Sequence, residues 1–421
     1  MKFRKRPSLT AREIRILALI GLVAVIAVSV LIGANIGLSR AVQGGGGFFV
    51  AWEGARAFLF QHIEPYSGTV AGSTQVLTYG RAAHTGENPY ALTIPFFLLP
   101  AYFPFALFSD PATARGLWMF LSEAALVGTA FLSLRLIEWQ PRRFFHAFYS
   151  LLSVFSFYSV ASLLEGAPVI VLGLLYLGIL SAYYMQQDEL LGAFLVFSLF
   201  YWEIGSLFLI LVIWKVFYEK RWRVLAGFGM TFFILLVLSF LLYPGWLLPF
   251  LTAVLAMMRS PFGIITAAVF AQLSPAYGTR IAQVLTVLLI VMLIYEWAAT
   301  RDSDFRRFIW AAGLTLAATP LIGFRTEMSN LVVLFPALAL IFAATTDRWR
   351  TGYWLTTLLV LLVLVLPWFL FARWFLYHDP RAYDYLFLIY PLFVIIGLYW
   401  TRWWFIRPPR TWMDHVRSSS G

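Results

Sequence analysis

The sequence predicts an all-α fold: a polytopic bundle of about 12 membrane-spanning helices, with further juxtamembrane helices on the outer face. Two observations support this fold class. The 421 residues are 61% hydrophobic and only 12% charged, which leaves too little polar surface to coat a soluble domain of this size. Apolar stretches long enough to cross a bilayer as helices also recur from residue 16 to the carboxyl-terminal part of the chain. We therefore expect 1–421 to be a single integral membrane domain.

The apolar stretches define the spans, and the basic residues between them set the orientation. The predicted spans are 16–37, 113–134, 144–163, 168–185, 190–203, 205–219, 224–243, 280–298, 307–322, 328–345, 352–371 and 385–401. With the amino terminus inside, 22 of the 31 lysines and arginines fall on the cytoplasmic side, which is the bias of a multi-pass cell-membrane protein. Both termini are therefore predicted to be cytoplasmic. The first stretch is too long for a signal peptide and lacks a clear cleavage site, so an uncleaved span is favoured.

The distribution of basic residues also indicates whether and how two ambiguous apolar segments cross the membrane. If the proline-interrupted stretch 91–108 were a span, the basic cluster in 135–143 would lie outside, so we expect this stretch to be juxtamembrane or re-entrant on the outer face. If 190–219 formed one long spanning helix, the basic residues of 220–223 would lie on the outer side. Two short spans that meet near Glu203 therefore agree better with the charge distribution. Short, broken spans often line binding sites.

Two predicted outer segments, 39–111 and 243–279, are longer than a simple connection requires. Each contains an apolar piece too short to span, 48–60 and 246–258, which suits helices that lie in the membrane interface. Because long ordered loops usually carry function, we expect the functional face to be the outer one.

Composition excludes several function classes. A net charge of +11 would suggest a nucleic-acid partner in a soluble protein, but here the basic residues lie in short segments between apolar runs and act as topology signals. The absence of cysteine removes disulfides, thiolate catalysis and cysteine-ligated zinc, and the five histidines are scattered. We predict no metal, no cofactor and no nucleic-acid partner.

Ionisable residues at the ends of spans are costly in a membrane and are therefore functional candidates. The outer set comes from five separate connections or span ends and comprises Glu53, Arg56, Glu64, Arg81, Glu87, Glu165, Glu203, Arg325 and Glu327. Any one of them could be a solvated surface charge. Acids at several outer helix ends around a broken span indicate an outward cavity instead.

Glu53 and Glu64 are the candidate catalytic residues. A carboxylate at membrane height among aromatic residues can have a raised pKa and accept a proton from a hydroxyl group, as a general base does. The alternative for Glu53 is a structural pair with Arg56, three residues further along the same predicted helix. The preceding glycines, 44–47, are compatible with a flexible connector or with close backbone approach to a phosphate, and the connector is favoured.

Arg325 lies between two predicted spans on the outer side. A guanidinium group there can hold a lipid phosphate through paired hydrogen bonds, with assistance from Asn330. A structural contact between Arg325 and Glu327 is the alternative. The residues predicted to bind substrate are Arg56, Arg81, Glu165, Glu203, Arg325, Glu327 and Asn330.

A series of motifs follows the first predicted span in a fixed order. They are the aromatic stretch 48–59, Glu64-Pro65-Tyr66-Ser67, Tyr79-Gly80-Arg81, Asn88-Pro89-Tyr90, the proline-rich 95–105, and 325–336. In order and spacing they resemble the polyprenol-phosphate-sugar-dependent glycosyltransferases of the GT-C fold, especially glycosyltransferase family 87, the bacterial mannosyltransferases. In outline the resemblance covers nearly the whole chain.

The resemblance implies an inverting hexosyltransferase. It would move mannose or a similar hexose from a polyprenyl-phosphate sugar donor to a lipid or glycan acceptor on the outer face, without a nucleotide or an obligatory metal. By analogy, an acidic residue of the first outer segment would be the base.

Three positions depart from the pattern of the family. An aspartate expected just before the aromatic stretch is Gly47, a Gly-Gln pair is replaced by 165–167, and a Lys-Pro pair is replaced by 202–204. Glu53, which we favour, or Glu64 would then act as the base. Glu165 and Glu203 would lie at the rim of the cavity.

Two other functions are compatible with the sequence. A flippase or carrier for a lipid-linked solute would need polar groups on both leaflets, whereas the candidate residues gather on one side and no half of the chain is duplicated. A catalytically inactive scaffold that keeps the GT-C-like fold would account for the glycine at position 47. An open cavity that reaches Arg325 and either Glu53 or Glu64 favours the enzyme, and a filled one favours the scaffold.

Overall fold

The computed structural model describes residues 10–406, and the regular elements in that range are helical apart from one isolated backbone bridge between Ile264 and Thr326. The basic residues of 1–9 and 407–421, which contributed to the predicted orientation, lie outside the described residues. The first nine α-helices are α1 (Ala11–Ala41), α2 (Gly46–Arg56), α3 (Gly68–Tyr79), α4 (Phe103–Ala106), α5 (Pro111–Leu136), α6 (Arg143–Phe155), α7 (Phe157–Glu165), α8 (Val169–Tyr184) and α9 (Asp188–Phe197). The next nine are α10 (Trp202–Tyr218), α11 (Trp222–Leu242), α12 (Leu247–Arg259), α13 (Thr266–Leu273), α14 (Gly278–Ala298), α15 (Phe305–Ala318), α16 (Phe335–Arg348), α17 (Gly352–Tyr377) and α18 (Pro380–Ile406). A π-helical turn (Ala57–Gln61) and 3-10 turns (Phe96–Tyr102, Ser198–Tyr201, Thr319–Leu321 and Met328–Leu334) complete the described helices.

Seven helical stretches of the described chain are long and apolar enough to cross a membrane, or eight if a bent pair counts as one span. The seven are Arg12–Ala41, Pro111–Leu136, Trp222–Leu242, Gly278–Ala298, Met328–Arg348, Gly352–Tyr377 and Arg381–Ile406. The bent pair is α6 and α7, which meet at Ser156 at an angle of 42°. The protein is therefore all-α and carries several helices that fit a membrane protein.

The predicted count of about 12 spans exceeds the number that these lengths support. Every predicted span falls on a helix, but four of them correspond to α8, α9, α10 and α15, which have 10 to 17 residues. At about 1.5 Å per residue, such helices cover roughly 15–26 Å, less than the ~30 Å hydrocarbon core. The count of 12 remains a prediction.

The predicted break near Glu203 is present. Helix α9 ends at Phe197, the 3-10 turn Ser198–Tyr201 follows, and α10 starts at Trp202. Gly205 lets α10 start close to its neighbours, because a Cβ at this position would lie 2.5 Å from the Tyr176 hydroxyl and 2.7 Å from the Ser198 carbonyl oxygen. The break therefore follows from close packing between short helices.

The segments predicted not to span are short helices. Residues 91–108 contain a 3-10 turn and α4, which together cover only Phe96–Ala106 and contain Pro100 and Pro104. The apolar pieces 48–60 and 246–258 form α2 with its π turn and α12. Their helical structure is confirmed, and their position in the membrane interface remains a prediction.

Helix α16 is the centre of the main hydrophobic core, and each residue of 337–344 is buried. Four of these eight residues are alanines, which let neighbouring helices approach closely. A second, aromatic core joins α2 to α4 and α5, where the ring of Trp118 stacks on Phe48 (5.5 Å between centroids) and on Tyr102 (5.2 Å). This second core holds the first outer segment in place.

Loop contacts define two ends of the bundle. At the end that we call the cavity end, Arg115 donates to the carbonyl of Leu164, and the Asn88 amide donates to Glu327 (3.4 Å). At the opposite end, Lys215 Nζ donates to the carbonyl of Thr300 (2.6 Å). Helix α10 connects the two ends, because Glu203 and Lys215 lie 12 residues, or about 18 Å, apart along its axis.

Candidate functional site

A cavity of about 370 Å³ lies at the cavity end, between the loop 323–330, the first turn of α10, and α12 with the segment that follows it. Its lining residues are Thr93, Tyr201, Trp202, Glu203, Val254, Met257, Met258, Phe262, Gly263, Ile265, Gly323, Phe324, Arg325, Thr326, Glu327 and Asn330. Four residues predicted to bind substrate, namely Glu203, Arg325, Glu327 and Asn330, therefore meet around one space.

The backbone fixes the two loops that form this cavity. Ile264 and Thr326 exchange two hydrogen bonds of 2.7 and 3.0 Å, which join the segment after α12 to the loop 323–330. Gly263 and Gly323 have φ angles of +98° and +110°, in a region that strongly favours glycine. The paired loops hold the side chains between them in a defined arrangement.

Arg325 lines the cavity and donates through Nη1 to the carbonyl of Phe262 (3.1 Å). Residues 10–406 contain no ion pair between Arg325 and Glu327, so the structural contact considered for this arginine is not observed. The Asn330 amide donates to Thr326 Oγ1 (3.2 Å), which braces the same loop. Since one hydrogen bond uses only part of the guanidinium, Arg325 retains donors for a ligand.

Glu327 is the most perturbed carboxyl group of the cavity. Burial, together with the nearby carboxylates of Glu165 and Glu203, raises the pKa of Glu327 to about 8. Its described hydrogen-bond partner is the neutral amide of Asn88, at 3.4 Å. A partly buried carboxyl group beside other acids, with a raised pKa, is typical of functional sites.

Glu165, predicted to lie at the rim, does not line the cavity; it lies at the end of α7 and joins three segments. Its Oε1 accepts hydrogen bonds from the backbone N–H of Gly47 (3.1 Å) and from the Tyr90 hydroxyl (3.0 Å). Buried Arg115 is close enough to attract the carboxylate. Glu165 therefore caps the amino terminus of α2, where a negative charge is favourable.

The glycines 44–47 lie so close to neighbouring residues that a side chain at these positions would be crowded. A Cβ on Gly45 would lie 2.5 Å from Arg115 Nε, and one on Gly46 would lie 2.0 Å from the Tyr90 ring. Gly45 also has a φ angle of +88°. The favoured interpretation of a flexible connector is therefore wrong, and the α2 amino terminus already holds a carboxylate in the place considered for a phosphate.

Glu53 and Arg56 lie on α2, away from the lining of this cavity. Arg56 donates to the carbonyls of Ala106 (3.0 Å) and Phe108 (3.2 Å) and lies over the Trp52 ring, so it fastens α2 to the segment after α4. Glu53 is half-buried, and this burial raises its pKa while the charge of Arg56 opposes the shift. The catalytic role of Glu53 remains a prediction.

Glu64 and Arg81 lie on the surface of the first outer segment. Glu64 is exposed and close to the Tyr243 hydroxyl. Arg81 donates two hydrogen bonds to Glu87 (2.7 and 2.8 Å), and these bonds lower the pKa of Glu87 to about 2. Neither Glu64 nor Arg81 lines the cavity with Arg325 and Glu327.

Sequence reasoning missed several residues of the site. The side chains of Val254, Met257 and Phe262, together with Tyr201 and Thr93, form much of the lining. The short apolar stretch 246–258 was the available signal, because an apolar helix that lies in the membrane interface next to a polar loop can cover a site. Arg115, only 1% exposed, gave a second signal as a lone charge at the start of a predicted span.

Within residues 10–406, no group of three or more acidic or histidine side chains has an arrangement that could hold a metal ion. Comparisons with protein-family models, with curated proteins and with solved structures found no match to this chain. The function must therefore be inferred from the chemistry of the cavity and from the sequence motifs.

Proposed function

We propose that this chain is an inverting membrane glycosyltransferase that moves a hexose from a polyprenyl-phosphate donor to a lipid or glycan acceptor at the Glu203–Glu327 cavity. The observation that carries the proposal is the meeting of Arg325 with Glu203 and Glu327 around one cavity beside an apolar helix. The order of motifs, which resembles that of GT-C enzymes, supports the same function.

The donor is an amphiphile, and the cavity offers both kinds of surface. Arg325 and Asn330 can bind the phosphate, while Val254, Met257 and Phe262 can contact the first isoprene units. Helix α12 also exposes Leu248, Leu251 and Leu255 beyond the cavity. A volume of about 370 Å³ lies within the usual range for small-molecule sites.

The chemistry is a single displacement at the anomeric carbon. A carboxylate accepts the proton of the acceptor hydroxyl, whose oxygen then forms the new bond to that carbon. The bond from the anomeric carbon to the phosphate oxygen breaks, and the polyprenyl phosphate leaves with the electron pair, stabilised by Arg325. Atoms and charge balance without a metal or a nucleotide.

Glu327 is our first candidate for the base, because it lines the same cavity as the proposed phosphate ligand Arg325. Its raised pKa gives a carboxylate that is more basic than an ordinary one once it is deprotonated. Glu53 and Glu64, the bases predicted from the sequence, are the alternatives. If Glu327 is the base, E327Q should lose transfer; if Glu53 or Glu64 is the base, E53Q or E64Q should lose it instead.

A shared outer face for the site requires the predicted orientation of the bundle. The contacts at the two ends support an alternating course of the chain, since loops that the prediction places on one side meet at one end. Arg306, for example, pairs with Glu138 at the opposite end (3.4 Å), as expected if both connections are cytoplasmic. The cavity reaches Arg325 but neither Glu53 nor Glu64, so it meets only half of the criterion that separates an enzyme from an inactive scaffold.

Transfer of a labelled hexose from a synthetic polyprenyl phosphate, in proteoliposomes with a mixed pool of lipid and glycan acceptors, tests the proposal. We expect E327Q to lower the transfer rate by about 100-fold or more, because the general base is lost. R325Q should mainly raise the KM for the donor. The matched surface control R81Q should behave as wild type.

Three results would contradict parts of this proposal. Normal transfer by E327Q, with loss of transfer in E53Q or E64Q, would return the base to the first outer segment. If wild-type protein moved the intact lipid-linked sugar across the bilayer without transferring the hexose, the chain would be a flippase. Absence of both activities, in protein that still binds the donor, would identify a scaffold.

A further inference from the structure

A second polar site lies at the opposite end of the bundle, where α14, α15 and α18 meet. Glu296 is only 2% exposed, and its carboxylate is shared by the guanidinium groups of Arg307 (3.4 Å) and Arg402 (3.0 Å). The Tyr399 hydroxyl also donates to Glu296 (3.3 Å). Two arginines around one carboxylate give the cluster a formal charge of +1.

Both arginines retain donors that the protein does not use. Each guanidinium group carries five N–H donors. The Nε atoms of Arg307 and Arg402 are buried and have no hydrogen-bond partner among residues 10–406. The side chains of Arg307 and Arg402 are 18% and 30% exposed, so an acceptor from outside the chain can reach the Nη donors that do not bind Glu296.

The arginines open onto a cavity of about 200 Å³, whose lining is Tyr295, Arg307, Arg402, Trp403 and Ile406. An adjoining space of about 400 Å³ shares Arg307 but is also lined by Asp302 and Asp304. Asp304 is engaged at the start of α15, where it accepts from the Arg307 backbone N–H (3.2 Å). The smaller cavity, whose charged lining residues are both arginines, therefore suits an anion better.

An apolar surface leads away from this cavity along α14. Five side chains on one face of this helix, at positions i, i+3, i+4, i+7 and i+10, are each about 60% exposed, and these are Val284, Val287, Leu288, Val291 and Ile294. Tyr295 and Trp403 stand at the end of this stripe and are themselves exposed. An acyl chain can pack along the stripe while its headgroup reaches the arginines.

We propose that this cavity binds a phospholipid with an anionic headgroup, such as phosphatidylglycerol. The lipid phosphate accepts hydrogen bonds from Arg307 and Arg402, and the acyl chains lie along the exposed face of α14. The positive charge selects an anionic lipid over a zwitterionic one. This site shares no lining residue with the Glu203–Glu327 cavity, and the proposal does not depend on the glycosyltransferase assignment.

Native mass spectrometry of the detergent-purified full chain, titrated with phosphatidylglycerol or phosphatidylcholine, tests this site. We expect tighter binding of phosphatidylglycerol, and a loss of about fivefold in R402Q, as for one basic side chain at an anionic membrane. The matched control is R350Q, because Arg350 is exposed at the same end, next to Trp349, which stacks on Trp400 (5.0 Å).

E296Q keeps both arginines and removes the carboxylate, which raises the formal charge of the cluster from +1 to +2. We expect folded E296Q to bind phosphatidylglycerol at least as tightly as wild type, and this variant carries the test if R402Q does not fold. Equal binding of the two lipids, or equal losses in R402Q and R350Q, would overturn the proposal. Complete displacement of the lipid by millimolar inorganic phosphate would assign the cavity to a free anion instead.

Discussion

The carboxylate of Glu165 accepts a hydrogen bond from the backbone N–H of Gly47 at 3.1 Å, across 118 positions of sequence. The end of α7 thus supplies a carboxylate to the start of α2 from another helix. The hydroxyl of Tyr90 donates to the same oxygen. This relationship ties the first outer segment to the rest of the bundle.

Removal of the Glu165 carboxylate should destabilise the protein. In E165A the Gly47 N–H and the Tyr90 hydroxyl lose their acceptor, at a cost of about 1–3 kcal/mol for each group left buried without a partner. E165Q retains a side-chain oxygen and should lose less. Thermal unfolding in detergent, with E64A as an exposed control, measures both. Equal melting temperatures for E165A and E64A would contradict a bracing role.

The space around Gly46 predicts a contrast between two glycines. G46A should lower stability by about 1–3 kcal/mol or more, because its Cβ would overlap the Tyr90 ring. The control G72A introduces the same atom inside α3, where no atom lies within 4 Å, and should be neutral or stabilising by about 0.5–1 kcal/mol. Melting temperatures of the two variants should therefore move in different directions. If G46A has the melting temperature of wild type, the packing of Tyr90 against Gly46 is not tight in the folded protein.

The raised pKa of Glu327 predicts how stability changes with pH. Below pH 4.5 the group is protonated in both states, and between 4.5 and about 8 the unfolded chain loses the proton that the folded protein keeps. The contribution of Glu327 therefore lowers stability as pH rises through this window. E327Q should remove that decline, so its melting temperature should rise relative to wild type between pH 5 and 8.5.

The control for this measurement is E64Q, in which an exposed carboxyl group is removed. A change that E64Q shares with E327Q comes from the loss of one carboxyl group and not from the surroundings of Glu327. If the melting temperature of E327Q runs parallel to that of wild type over this pH range, the pKa of Glu327 is ordinary in the folded protein.

Single cysteines can decide the number of spans, because the chain has none of its own. Residues 85, 302 and 350 lie in exposed connections, so T85C, D302C and R350C offer accessible thiols. With 12 spans and the amino terminus inside, an impermeant maleimide added to intact cells should label T85C alone. With seven spans the maleimide would label T85C and R350C. With eight spans it would label T85C and D302C.

The helices of this protein could be predicted from sequence, and their roles at the site only in part. The break before Glu203 and the short helices at 48–60 and 246–258 followed from local charge and apolar length, and all of them are present. The lengths of individual spans were less predictable, because α8, α9, α10 and α15 are short helices surrounded by other helices.

The residues of the candidate site could also be predicted only in part. Charged or polar residues at helix ends predicted a cavity, and four of them share one, namely Arg325, Glu327, Glu203 and Asn330. The same pattern pointed to Arg56 and Arg81, but these lie elsewhere. Arg56 donates to backbone carbonyl groups, and Arg81 pairs with Glu87. Sequence does not distinguish the two cases, since both kinds of arginine lie near aromatic residues in segments that are predicted to be on the outer side.

The sequence by itself determined that this chain is helical and fits a membrane protein, because the length and apolarity of a helix are local properties set by consecutive residues. Tertiary structure decided which charges meet. The carboxylate of Glu165 reaches Gly47 because the end of α7 lies against the start of α2. Glu327 lies near Glu203 because the loop 323–330 folds against the start of α10. Such encounters depend on the packing of helices that are distant in the chain, and no local pattern encodes them.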